Sequence, residues 1–341
     1  MSVITRSTRA LIAVASHRTQ GATAMTITDM PTQIPTDSSD ADRIEVVPQS
    51  RTIGAELHGI DLSRPLSDAA IALVRRALLD WKVLFFRDQD ITTEQHLEFA
   101  RRFGPLEIHP FAPEKPGFPE VLAITHDEES PGHENLWHSD VTWRLEPSLG
   151  SVLRMIDGPE LGGDTVFSDM YAAYDGLPQR IKERVDGLVA RHDFTNFRRR
   201  MIRNGATPEQ VAEFDATYPN PEHPVVRTHP ETGRKGIYVN AAFTQEIAGL
   251  DPDESAELLD VLYRQAAYPE YQVRFRWAPN SIAFWDNRSC QHYAVSDYWP
   301  DVRKVERVTI IGDAPYFDPA QAPTDLPERP FRGVLKRWTD S

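Results

Sequence analysis

Short apolar runs, each closed by a turn, set the tightest limit on what this chain can fold into. They fall at 82–86, 121–125, 151–155, 165–167, 236–240, 272–277, 282–285 and 303–311. Runs of that length bounded by Gly, Pro, Asn and Asp suit buried strands better than helices. Helical spacing is concentrated elsewhere. Ser67 precedes Ile71, Val74, Leu78 and Leu79, and Thr93 is expected to cap a second helix that ends at Gly104. Thr207-Pro208-Glu209-Gln210 reads as a capping box, and Asp251-Pro252 opens another helix. A doubly wound parallel sheet needs regular strand–helix alternation and usually a glycine-rich phosphate loop. Neither is present. The pattern predicts a mainly β fold, a double-stranded β-helix (jelly-roll) barrel with flanking helices.

Composition narrows the function classes. The chain has 341 residues and a net charge of −14, which argues against a nucleic-acid partner because phosphate binding needs a basic face. A small anionic organic partner must then be met by a few placed arginines. The single cysteine, Cys290, excludes an internal disulfide framework and fits a cytoplasmic location. No apolar run approaches the ~18 residues of a membrane span. Residues 1–43 read as a disordered leader, 44–317 as the folded domain and 318–341 as a proline-rich tail. The basic stretch 192–206, with Arg198, Arg199, Arg200 and Arg203, reads as an irregular loop.

Chemistry concentrates at Trp137-His138-Ser139-Asp140-Val141-Thr142-Trp143. On an extended strand His138 and Asp140 point to one face. They offer the mixed N and O donors of a metal site; the bland alternative is a strand end with two solvated polar residues. Eight histidines (17, 58, 96, 126, 133, 192, 223 and 229) read as surface or capping residues. His292 differs, because it follows the apolar run 282–285 and an Asp-Asn turn. It is the candidate third ligand of a set that leaves coordination positions open.

The run Arg303-Lys304-Val305-Glu306-Arg307-Val308-Thr309 carries a second clue. Positions 303, 305, 307 and 309 share a strand face. If that face is inward, two guanidinium groups enter the core about 13 Å apart at ~3.3 Å per residue. Buried arginines need anionic partners. Two of them on one strand imply two anionic ligands side by side. In the opposite register Lys304, Glu306 and Val308 would be inward.

Together these residues resemble the taurine dioxygenase family of Fe(II)- and 2-oxoglutarate-dependent oxygenases. The resemblance covers roughly 44–317. It rests on Phe85-Phe86-Arg87-Asp88-Gln89, Arg102-Phe103-Gly104, Ile108-His109-Pro110, the 137–142 stretch, Gly162-Gly163-Asp164-Thr165, the run 223–230, Trp285-Asp286-Asn287-Arg288 and Gln291-His292-Tyr293-Ala294. The resemblance implies iron ligands His138, Asp140 and His292, with O2 and 2-oxoglutarate as cosubstrates. It implies that Thr165 and Arg303 hold the distal carboxylate of 2-oxoglutarate. It further implies that His109, Arg307 and the backbone N–H of Val141 hold the substrate's anionic head, with Phe243 and Trp143 lining its pocket. A homo-oligomer is also implied.

The implied reaction hydroxylates a small, taurine-like organosulfonate next to sulfur, giving an aldehyde and sulfite with succinate and CO2. Glu107 stands where the taurine enzyme has a histidine, Ala112 where it has a tyrosine near the substrate amine, and the loop around Glu134 also differs. Alkyl sulfate esters and aryloxyalkanoates are therefore alternative substrates. A zinc hydrolase using the same two histidines and aspartate is a rival of another class, and a non-catalytic anion-binding barrel is a third.

Overall fold

Val83–Phe86 lies in the middle of the largest sheet, and its four residues divide between two cores. Val83 and Phe85 face a second sheet, while Leu84 and Phe86 face helices. With both faces buried, the run is apolar throughout instead of alternating. The chain, seen in a computed structural model, is described over residues 40–324 except 110–113 and 133. Most of the predicted leader, the end of the tail, Ala112 and His133 lie outside the described residues. Asp40–Arg43 is a helical turn whose Asp40 carboxylate accepts from the Ser67 N–H at 2.8 Å, so order begins before Ile44.

The fold is mainly β with helices. The large sheet runs in the order Glu45–Pro48, Ala55–His58, Val83–Phe86, Ile282–Asp286, Gly150–Asp157, Arg303–Ile310, Phe118–His126, Glu114–Lys115. A three-stranded sheet, Gln272–Phe275, Thr165–Asp169, Cys290–Ala294, packs against one face of it. Phe85 stacks on Phe275 across that interface with ring centroids 4.1 Å apart. Helices Asp68–Trp81 and Thr93–Arg101 cover the other face. Strand pairing among the described residues traces these sheets, with no closed barrel among them. No described helix is long and apolar enough to cross a membrane.

Several local expectations change. Ser67 caps its helix as read, accepting from the Ala70 N–H. The next helix is capped by Thr92, one residue before the expected Thr93, with Gln95 completing a capping box. The stretch read as an irregular basic loop contains the helix Thr195–Arg203.

The strand Arg303–Ile310 adopts the register that turns both arginines toward the second sheet. Arg303 is buried, Val305 joins the inter-sheet core and Lys304 is exposed. Glu306 is nevertheless buried too. It faces the helices, where Lys115 Nζ donates to it and Thr93 lies within hydrogen-bond reach. A paired carboxylate is tolerated there because its partner removes the cost of an isolated buried charge.

Candidate metal centre

His138 and His292 are neighbours through backbone pairing. They form an isolated antiparallel bridge, with His138 N–H donating to His292 O at 3.1 Å and His292 N–H to His138 O at 2.8 Å. The ring centroids are 4.2 Å apart. His292 lies on the strand Cys290–Ala294, which the sequence pattern missed because the turn after Asp286 breaks the apolar run. His138 is a bridge residue and not part of a longer strand, and the chain turns at Asp140. That turn requires Val141 at φ 49°, a left-handed conformation that costs a β-branched residue and is sustained by the surrounding packing.

The three side chains converge. One ligand atom from each of His138, Asp140 and His292 lies within 4.8 Å of the others. Asp140 Oδ1 is 3.8 Å from Nε2 of both histidines. His138 Nδ1 lies 2.7 Å from the Leu136 carbonyl. That contact makes Nδ1 the donor and leaves the Nε2 lone pair for a metal. The other Asp140 oxygen accepts from Ser151 Oγ at 3.0 Å. Asn287 clasps the same residue: its Oδ1 accepts from the Asp140 N–H at 3.2 Å and from Trp285 Nε1 at 2.9 Å, while Nδ2 donates to Ser148 Oγ at 2.8 Å.

Burial works to raise the Asp140 carboxyl, but Arg307 and the two histidines hold it well below the usual carboxylate range. Burial, with His138 adding to it, pushes His292 down to about 3. An ionised Asp140 carboxylate beside a neutral His292 imidazole is the protonation state that metal ligation requires. The buried His292 Nδ1 has no partner among the described residues. Two nitrogens and one oxygen on one side of a cavity fit the donor set of a non-haem Fe(II) site with open positions.

One pocket joins His138, His292, Thr165, Arg303 and Arg307. Thr165 is delivered by the Gly162-Gly163 turn, where both glycines have positive φ and a Cβ on Gly162 would lie 2.7 Å from Asp297 Oδ1. Thr165 pairs with Ala294 and Phe167 with His292, so Thr165 and His292 share a face. Arg303 is 6 % exposed, yet it makes no ion pair among the described residues and its Nε lacks an acceptor. Such an orphaned guanidinium fits an anionic ligand, since an unpaired buried charge is costly. Apolar Ile124, Leu153 and Val305 complete this end of the pocket.

Arg307 forms the other half. Its Nη1 donates to Asp140 Oδ1 at 3.0 Å, and its Nε is buried without an acceptor. His109 is half-buried nearby: burial, then Arg307 and Arg144, push it down to about 4. Phe243 stands edge-on to His138 with centroids 6.3 Å apart. Trp143 is buried, stacked on Phe194 at 4.2 Å; it lines an outer groove with Ile108 and Leu145 and not the pocket of the two histidines. Glu107 and Arg144 were not singled out as a pair in the sequence. Glu107 is 4 % exposed, and Arg144 Nη2 lies 2.6 Å from its Oε1. Burial raises the Glu107 carboxyl above its ordinary value, while Arg144 and Arg307 act against that rise.

Five histidines read as surface or capping residues are interior: His96, His126, His192, His223 and His229. His229 Nε2 meets Asp286 Oδ2 at 3.1 Å, His192 Nδ1 meets Thr142 Oγ1 at 3.0 Å, and His223 Nε2 meets the Arg144 carbonyl at 2.8 Å. His96 is fully buried. His192 thus holds the Thr142 side chain and His223 the Arg144 backbone, just after the metal ligands.

Comparison with known proteins agrees with this geometry. Residues 45–309 match the taurine catabolism dioxygenase TauD, TfdA family. An alkylsulfatase of Acinetobacter baylyi is 37 % identical over 267 residues, covering 76 % of this chain and 83 % of that protein. An alpha-ketoglutarate-dependent sulfate ester dioxygenase of Pseudomonas putida is 35 % identical over 277 residues, covering 80 % and 91 %. A solved taurine dioxygenase from Burkholderia xenovorans is 39 % identical with a TM-score of 0.70, covering 82 % and 93 %. The chain belongs to the TauD/TfdA family of dioxygenases. It is a 2-oxoglutarate-dependent dioxygenase acting on small organic molecules.

Proposed function

We propose that this enzyme hydroxylates a small organosulfonate or alkyl sulfate ester at the carbon bearing the sulfur group. The products are an aldehyde, sulfite or sulfate, succinate and CO2. The carrying observation is Arg307, whose buried Nε has no acceptor among the described residues although its Nη1 touches Asp140. A cationic donor directly beside the triad suits an anionic head group whose neighbouring carbon is to be oxidised. The names of the relatives from Acinetobacter and Pseudomonas support a sulfate ester, and that of the Burkholderia structure a sulfonate.

In this reading His138, Asp140 and His292 hold Fe(II), with the jelly-roll arrangement of the family as scaffold. Bound Fe(II), with 2-oxoglutarate and O2, supplies the oxidising power for the C–H bond. Arg303 and Thr165 hold the distal carboxylate of 2-oxoglutarate. Arg307, His109 and the Val141 N–H hold the sulfur oxyanion and so fix which carbon faces the centre. Phe243, edge-on to His138, restricts the pocket, and Trp143 backs it from the outer groove through Phe194. Once hydroxylated, the substrate carbon expels the sulfur group as its hydroxyl proton leaves.

Glu134, the carboxylate nearest in sequence to the metal motif, lies 3.2 Å from His126 Nε2. Being engaged there, it favours substrates without taurine's ammonium group. The catalytic domain is taken as 44–317 of a cytoplasmic homo-oligomer, a location that the single buried Cys290 suits. A panel of alkylsulfonates, alkyl sulfates and aryloxyacetates, scored by substrate-dependent succinate, tests the reading. Stimulation by an alkyl sulfate or sulfonate is expected; stimulation by aryloxyacetates alone would reverse it.

A further inference from the structure

We propose that Glu107 sets the charge that the head-group subsite accepts, so that the enzyme takes monoanionic sulfur oxyanions and rejects dianionic phosphate esters. The inference rests on the function proposed above and adds to it a residue and a selection rule. Glu107 is buried, ion-paired with Arg144, and within electrostatic reach of Arg307 and Asp140. The same arginines both bear on His109. Glu107, Arg144, Arg307 and His109 are therefore one electrostatic cluster that meets the pocket at Arg307, the side chain assigned above to the substrate head, and each guanidinium is already paired with a carboxylate: Arg307 with Asp140, Arg144 with Glu107.

Counting charges shows what that pairing does. Arg144, Arg303 and Arg307 bring three positive charges, and Asp140 and Glu107 two negative ones. A divalent metal and a dianionic cosubstrate cancel one another. The loaded site is left with one positive charge. Glu134, at the pocket edge, is half exposed and paired with His126, which screens it. A sulfonate or sulfate ester, carrying one negative charge, neutralises the site. A phosphate ester would leave a net negative charge in a place largely closed to water, where solvent compensates it poorly. Size and shape do little to separate the two tetrahedral heads, so charge is the property left to distinguish them. The buried Arg144 Nε and Arg307 Nε, neither with a hydrogen-bond acceptor among the described residues, supply donors without adding net charge.

The test is calorimetric binding of hexyl sulfate and hexyl phosphate to the Fe(II)- and 2-oxoglutarate-loaded enzyme under argon, near pH ~8, where a phosphate monoester is a dianion. The wild type should bind the sulfate at least about tenfold more tightly than the phosphate. Glu107→Gln should shrink that ratio by about tenfold or more, and Glu107→Asp, which keeps the charge, should preserve it. An unchanged ratio in Glu107→Gln, or an equal shift in Glu107→Asp, would overturn the proposal while leaving the substrate class standing. Should Glu107→Gln not fold, Arg144→Gln decides: a widened preference for the monoanion supports the proposal, and an unaltered one refutes it. Failure of the wild type to bind either ester would overturn the substrate reading itself, and this inference with it.

Discussion

Arg307 and Asp140 share a 3.0 Å contact, and the carboxylate oxygen that accepts it is also the one 3.8 Å from both histidines. The side chain assigned to the substrate head thus touches the side chain assigned to the metal. Arg303, four residues earlier on the same strand, has no such link.

This separation predicts a crossed pair of phenotypes. Arg303→Gln should weaken 2-oxoglutarate binding by about two orders of magnitude, as loss of a buried charged contact does, with little change in substrate affinity. Arg307→Gln should do the reverse. Because it also frees Asp140, it should perturb the visible charge-transfer band of the anaerobic iron complex. Binding titrations of each ligand to each variant check this. Equal effects on both ligands would contradict the division of labour.

Asn287 orients Asp140 without reaching the pocket, by clasping its N–H while bonding Trp285 and Ser148. Asn287→Ala should lower metal affinity about 10- to 100-fold, the range found for groups that orient a ligand. Competition with a chelator measures it. Circular dichroism should stay unchanged, since the contact is local.

Acid should destabilise the metal-free protein through its interior histidines. Burial pushes His96 down to about 4 from an ordinary 6.5, with the Val152 carbonyl opposing. The unfolded chain therefore takes up a proton on His96 below about pH 6.5 that the folded chain refuses until about pH 4. Stability from this residue is present above pH 6.5 and is lost as pH falls through that window, by up to about 3 kcal/mol. His96→Gln should flatten the slope of unfolding free energy against pH between those limits. Denaturant melts at stepped pH report it, and an unchanged slope would mean that His96 is solvated.

Much of the site was legible in the chain because its spacing is local. His138 and Asp140 are two apart, and Arg303 and Arg307 alternate on one strand. What escaped depends on distant partners. His229 reads as polar surface until Asp286, 57 residues away, is packed against it. Glu306 looks too polar to bury until Lys115 reaches it from another segment. The strand carrying His292 is hidden by the turn before it, and its pairing with His138 is a tertiary contact that no periodicity encodes. Strand number predicts the mainly β fold but does not determine closure, and pairing among the described residues traces no closed barrel.

The central claim is that His138, Asp140 and His292 form an oxygen-activating iron centre and not a hydrolytic zinc site. O2 uptake and succinate formation should be recorded together on the iron-loaded enzyme with an alkyl sulfate, in air and under argon, for the wild type and His292→Ala. The predicted result is equimolar O2 and succinate in air, sulfate release that stops under argon, and loss of all three in the variant. Sulfate release under argon without succinate would contradict it.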